Sequence, residues 1–203
     1  MAARLTFWFE FASTYSYLSA MRIADAATAA GVRVIWRPFL LGPIFAAQGW
    51  PDSPFNIYPA KGRYMWRDLA RRSALYGVPF RQPETFPQNG VLAARVAQLA
   101  LFRPQGPAFV RAVYGAQFAD GADIAERTTI AACLDRAGLP QHFLDDAGSP
   151  DNKAALRRAT ETAMQMGLFG APSFTVDGEL FWGDDRLEDA LRHAFRQTRT
   201  AGA

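Results

Sequence analysis

The chain has 203 residues, half of them hydrophobic and 20% charged, a globular profile that excludes a disordered protein. Its net charge of +3, from 22 basic and 19 acidic residues, is too balanced to imply a nucleic acid partner. One cysteine (Cys133) excludes an internal disulfide, and two histidines (His142 and His193) leave no zinc-type metal site to be expected.

The chain opens with Met1-Ala2-Ala3-Arg4 and runs straight into an apolar, strand-like segment. A secretory signal would show a longer apolar stretch and a cleavage site, and no apolar run reaches the ~18 residues of a membrane span. A soluble, cytoplasmic protein with no membrane partner is expected. Residues 4–11 (Arg-Leu-Thr-Phe-Trp-Phe-Glu-Phe) predict a strand. A helix follows Ser13 to about Ala30 and stops at Gly31; a second strand spans Val32–Phe39. This β-α-β order predicts parallel pairing of the two strands.

Residues 41–60, rich in Gly, Pro, Asn and aromatics, read as a long loop. Helices are predicted at about 61–76, 88–102, 106–119, 126–137, 140–147 and 150–166, the last with Ser149 as N-cap and Pro150 in its first turn. Arg71-Arg72 and Arg157-Arg158 read as solvated helix faces. The end returns to strands around Asp177-Gly178, a hairpin signal. A final helix opens at Asp184-Asp185 and runs to about Gln197. The order predicts one α/β sheet interrupted by a helical insertion: 1–40 and 167–203 form the sheet domain, and 41–166 supply the loop and inserted helices.

Four places carry chemistry. Ser13 stands at a helix N-terminus, as a cap or as a donor to a bound anion such as a thiolate, whose pKa a helix N-terminus lowers. Ser16 lies one turn on. Ala171-Pro172 opens a strand, with the peptide bond cis or trans. Trp182-Gly183-Asp184-Asp185 starts the last helix; its acids serve as dipole partners or receive the ammonium of an amino-acid ligand. In Ser53-Pro-Phe-Asn-Ile-Tyr-Pro-Ala-Lys-Gly62, Lys61 is one of only two lysines; it is solvated or holds a carboxylate. Trp36, Phe39, Phe45, Trp50, Phe55, Trp66 and Phe86 are divided between core and an apolar pocket.

Taken in order, Phe-Trp-Phe-Glu-Phe-Ala-Ser-Thr-Tyr-Ser-Tyr-Leu, Pro-Ala-Lys-Gly-Arg-Tyr-Met, Leu-Tyr-Gly-Val-Pro, Phe-Gly-Ala-Pro-Ser-Phe and Phe-Trp-Gly-Asp-Asp-Arg-Leu resemble the 2-hydroxychromene-2-carboxylate isomerases. Kappa-class glutathione transferases and the DsbA-type disulfide oxidoreductases are related to these. The resemblance runs from about Leu5 to Phe195 and implies a thioredoxin-like fold with a helical insertion domain. It implies glutathione as cofactor, an aromatic small-molecule substrate and a homodimer. By the same resemblance, Ser13 is the catalytic contact to the glutathione sulfur. Ala171 and a cis Pro172 pair with the tripeptide, and Trp182, Gly183, Asp184 and Asp185 hold its γ-glutamyl end. The substrate side is Phe55, Asn56, Lys61 and Phe86.

Ser13 and Ser16 stand where the oxidoreductases carry two cysteines, so no disulfide cycles there. Family members often carry Asn or Ser at the position of Asp184, which favours Asp185 as the direct contact. The implied activity is cis-trans isomerisation by reversible thiolate addition. The alternatives are a kappa-like transferase acting on other electrophiles and a non-catalytic binding module of the same fold.

Overall fold

The computed structural model describes residues 3–200, the side chains of 198–200 excepted; the outermost residues of the predicted domain limits lie outside it. Strand β1 (Ala3–Phe9) is followed by α1 (Thr14–Ala29) and β2 (Val32–Pro38). The two strands pair in parallel, Ala3 opposite Val32 through Phe9 opposite Pro38, as the β-α-β pattern predicts. The predicted first strand runs two residues too far. Its chain turns at Glu10, whose carbonyl accepts from the Ser13 N–H at 3.0 Å.

The segment read as a long loop is a correction. It contains α2 (Leu41–Ala47) and α3 (Pro54–Ile57), and α4 (Pro59–Tyr76) begins inside it. Pro43, Pro54 and Pro59 all lie in first turns, where a missing N–H costs nothing. Six further helices follow: α5 (Val91–Ala100), α6 (Gly106–Gly115), α7 (Arg127–Ala137), α8 (Phe143–Asp146), α9 (Pro150–Gln165) and, after the hairpin, α10 (Leu187–Thr200). After α6 the helix widens into a π turn, Ala116–Asp120, where one continuous helix was expected. Helix α5 starts later than predicted: Gly90 is its N-cap, and Asn89 just before it accepts from the Val91 N–H at 3.0 Å.

Strands β3 (Ser173–Val176) and β4 (Glu179–Trp182) form the predicted hairpin, with Asp177 and Gly178 at φ 48° and 89°. The sheet order is β2-β1-β3-β4, with β3 antiparallel to both neighbours. Leu5, Phe7 and Phe9 alternate onto one face and are fully buried. Phe7 meets Trp36 edge-on at 5.1 Å and stacks on Phe174 at 5.5 Å. Phe9 reaches Phe11 and Tyr114, so the sheet core is continuous with the inserted helices. Trp8 belongs to a second cluster with Phe39, Ile44, Ala163 and Leu168, and its indole N–H donates to Thr175 at 3.0 Å. Cys133 is buried in the core, and burial lifts its thiol to about 11. No helix among the described residues is long and apolar enough to cross a membrane.

Phe7 joins three strands through one ring. Phe7→Ala should lower the unfolding free energy by about 3–5 kcal/mol, seen as a lower urea midpoint at unchanged slope.

Candidate active site

The N-terminus of α1 meets the start of β3. Ser13 caps the helix, its Oγ accepting from the Ser16 N–H at 3.2 Å, and the same hydroxyl donates to the Ala171 carbonyl at 2.8 Å. The Ala171–Pro172 bond is cis. The Pro172 carbonyl accepts from the Gly183 N–H at 3.0 Å, which brings the last turn of the chain to the same place. Gly183 sits at φ 110°, a backbone conformation that favours glycine.

These residues form one wall of a cavity of about 810 Å³. Of the residues singled out in the sequence, Ser13, Ala171, Pro172, Trp182, Gly183, Asp184, Asp185, Phe55, Lys61 and Phe86 all line it. Phe45 and Trp50 from the α2–α3 segment face it too, 5.6 Å apart. Trp36, Phe39 and Trp66 belong to the core instead. Asn56 does not line the cavity. Its amide donates to Asp52 at 2.9 Å and to the Phe86 carbonyl at 3.4 Å, so it steadies Phe86 rather than facing a ligand. Lys61 Nζ lies 4.7 Å from the Tyr58 ring centre, on an exposed side chain.

The two acids differ sharply. Asp184 is 3% exposed, accepts from Ser19 Oγ at 2.8 Å and pairs with Arg22 at 3.1 Å; its Oδ2 is buried with no partner. Asp185 is exposed and pairs with Arg186 at 3.0 Å. They stand in a 3₁₀ turn, Asp184–Arg186, that precedes α10.

Three residues escaped the sequence reading. Arg72, expected to be solvated, lines the cavity and donates to the Tyr76 hydroxyl at 3.1 Å. Asp68 lies 3.8 Å from Arg72 Nε and accepts from the Tyr15 hydroxyl at 3.0 Å; burial and this carboxylate raise the Tyr15 pKa. The i,i+4 spacing of Asp68 and Arg72 was the available signal. Glu10 also lines the cavity, where burial pushes its carboxyl up to about 8 against the pull of the Ala12 N–H. A lone acid in Phe-Trp-Phe-Glu-Phe was its sequence signal. A second cis bond, Phe86–Pro87, lies in the facing wall.

The DSBA-like thioredoxin domain model matches residues 4–195. Over 190 residues the chain is 33% identical to the 2-hydroxychromene-2-carboxylate isomerase of Sphingobium xenophagum, a span of 93% of this chain and 96% of that protein. The chain belongs to the 2-hydroxychromene-2-carboxylate isomerase branch of the DSBA-like thioredoxin family. It is 26% identical over 199 residues to glutathione S-transferase kappa 1 of Rattus norvegicus, covering 91% of this chain and 87% of that one. A solved structure of a 2-hydroxychromene-2-carboxylate isomerase superimposes with a TM-score of 0.86 at 24% identity, over 98% of this chain and all of that one. The thioredoxin-like fold and helical insertion implied by the sequence resemblance are thereby established.

Two measurements check the electrostatics. Asp184→Ala removes a buried partner of Arg22 and Ser19 and should cost about 1.5–3 kcal/mol of stability, whereas the exposed Asp185→Ala should stay within about 0.5 kcal/mol; urea unfolding separates them. The folded protein holds a proton on Glu10 up to about pH 8, whereas the ordinary carboxyl value is 4.5. Stability from this group is therefore full below pH 4.5 and lost as pH rises toward 8. Glu10→Gln should flatten that slope in unfolding curves taken across the window.

Proposed function

We propose that the protein is a glutathione-dependent isomerase that converts 2-hydroxychromene-2-carboxylate-like aromatic acids between cis and trans forms. The observation that carries this reading is Ser13. It sits at a helix N-terminus against a cis-proline loop, facing a cavity whose far wall is aromatic. The names of the isomerase and kappa-transferase relatives support it.

The residues present suit glutathione. The buried, unpartnered Oδ2 of Asp184 and the exposed carboxylate of Asp185 form an acidic end suited to an ammonium. We assign Asp185 as the direct contact, because Asp184 already serves Arg22 and Ser19. Ala171 and Pro172 border the path from that end to Ser13. Bound there as a thiolate, glutathione would supply a nucleophile that adds reversibly to the conjugated carbon and makes the double bond single while rotation occurs.

Ser13 would turn its hydroxyl proton from the Ala171 carbonyl to a bound sulfur, and the α1 N-terminus favours negative charge at that point. Lys61 and Arg72 are the cations available to the substrate carboxylate. Phe45, Trp50, Phe55 and Phe86 cover the ring and exclude water. The same reading takes the protein as a cytoplasmic homodimer, with 41–166 as an insertion into the sheet domain.

Ser13→Ala should raise the pKa of the bound thiol, read from thiolate absorbance, and lower turnover by roughly tenfold to a thousandfold. Unchanged titration and turnover would remove Ser13 from the mechanism. Calorimetric titration with glutathione tests the cofactor directly. A product carrying glutathione, rather than the free trans isomer, would make the protein a transferase.

A further inference from the structure

Glu10 is an ionisable group of the cavity to which the mechanism above gives no task. Its backbone is held on two sides: the carbonyl accepts from the Ser13 N–H at 3.0 Å and from the Tyr114 hydroxyl at 2.9 Å. The residue therefore leaves β1 at a fixed angle, three positions before Ser13. Its side chain lies on the cavity wall beside Gly90, where a Cβ would approach Glu10 Oε1 at 3.3 Å. Gly90 itself is buried, so a side chain there would crowd the carboxyl from behind. The cavity cations Lys61 and Arg72 both belong to α4, and no ion pair with Glu10 occurs among the described residues. The ionisable group coupled to it is Tyr114 on α6, a fully buried phenol whose own ionisation is opposed by burial and by Glu10. Glu10 therefore presents a carboxylic acid, without a counter-cation, to the cavity that holds Ser13.

We propose that Glu10 is the general acid and base of the isomerisation, lending a proton to the substrate's ketone oxygen and taking it back. The proposal rests on the thiolate-addition reading above. When the nucleophile adds, the carbon–carbon π pair moves toward the ketone and places negative charge on its oxygen. The Glu10 O–H bond breaks, an O–H bond forms on that oxygen, and Glu10 is left as carboxylate. After rotation the carboxylate removes the same proton, the carbonyl re-forms and the carbon–sulfur bond breaks. No proton or electron is consumed over the cycle. Burial suits the group to both halves, because an acid poised near the working pH gives and recovers a proton with similar ease.

The test compares the wild type with Glu10→Gln, which keeps size and hydrogen bonding but cannot transfer a proton. Three quantities are followed against pH in the same samples: bound-thiolate absorbance, kcat with 2-hydroxychromene-2-carboxylate, and urea stability. Wild-type kcat should fall tenfold per pH unit above about 8. Glu10→Gln should lack that alkaline limb, with kcat reduced about a hundredfold and with thiolate still bound. Its stability should lose the pH slope between 4.5 and 8. If thiolate binds in both proteins but their kcat profiles coincide, or the wild type has no alkaline limb, Glu10 is not the acid and the isomerase reading stands. If neither protein binds thiolate, the isomerase reading itself fails, and this step with it.

Discussion

One hydroxyl joins the two ends of this chain. Ser13 accepts from the backbone of its own helix and donates to the Ala171 carbonyl, 158 residues away in sequence. The antiparallel pairing of β1 with β3 brings these segments side by side, and the serine sets their final approach. From Ala171 the constraint passes on: Pro172 follows in the cis form, its carbonyl holds the Gly183 N–H, and Gly183 starts the turn that carries Asp184 and Asp185. The helix N-terminus, the proline loop and the acidic turn are thus one continuous hydrogen-bonded wall. The inserted helices need only supply the opposite wall, which they do with aromatic rings and α4.

Beneath that wall runs a chain of charges. Asp184 pairs with Arg22, whose guanidinium lies 3.9 Å from the Tyr76 ring centre; Tyr76 accepts from Arg72, and Arg72 lies beside Asp68, which holds the Tyr15 hydroxyl. The chain links the 3₁₀ turn before α10 with α1 and α4, segments brought together from distant parts of the sequence. An ion pair with this much burial contributes little net stability against apolar residues of similar size. What it does is leave each carboxylate with a local partner. The acidic end of the cavity can then carry two aspartates without their repulsion pushing the turn apart.

Much of this was legible in the residues. Strong periodic signals gave β1, α1, β2, the hairpin and the long helices, because apolar alternation, Gly stops and the Asp-Gly turn all act locally. Cavity lining was legible wherever a residue's motif was also a structural device: Ser13 as cap, Pro172 at a strand start, Gly183 at positive φ. What stayed hidden depends on position relative to distant elements. Prolines of 41–60 read as breakers because nothing local says they fall in first helical turns. Asn56 read as a ligand because its partners, Asp52 and the Phe86 carbonyl, meet it only after folding. Glu10 was hidden inside a run read as strand, and the turn that exposes it to the cavity is fixed by Tyr114, more than a hundred residues away in sequence.

The cap and donor readings of Ser13, which looked like alternatives in the sequence, use different parts of one group. The cap role uses a lone pair on Oγ to receive the Ser16 N–H; the donor role uses the hydroxyl hydrogen. A bound thiolate would therefore compete with the Ala171 carbonyl for that hydrogen and leave the cap intact. The exchange replaces a neutral acceptor with a charged one, and hydrogen bonds to charged groups are the stronger kind. Ala171 then loses one bond at its carbonyl while the helix keeps its N-terminal anchor, so the site can accept a thiolate without loosening the element that stabilises it. A serine suits this position better than a residue that only caps: an aspartate would hold the helix equally well, but it has no proton to give and would repel the sulfur.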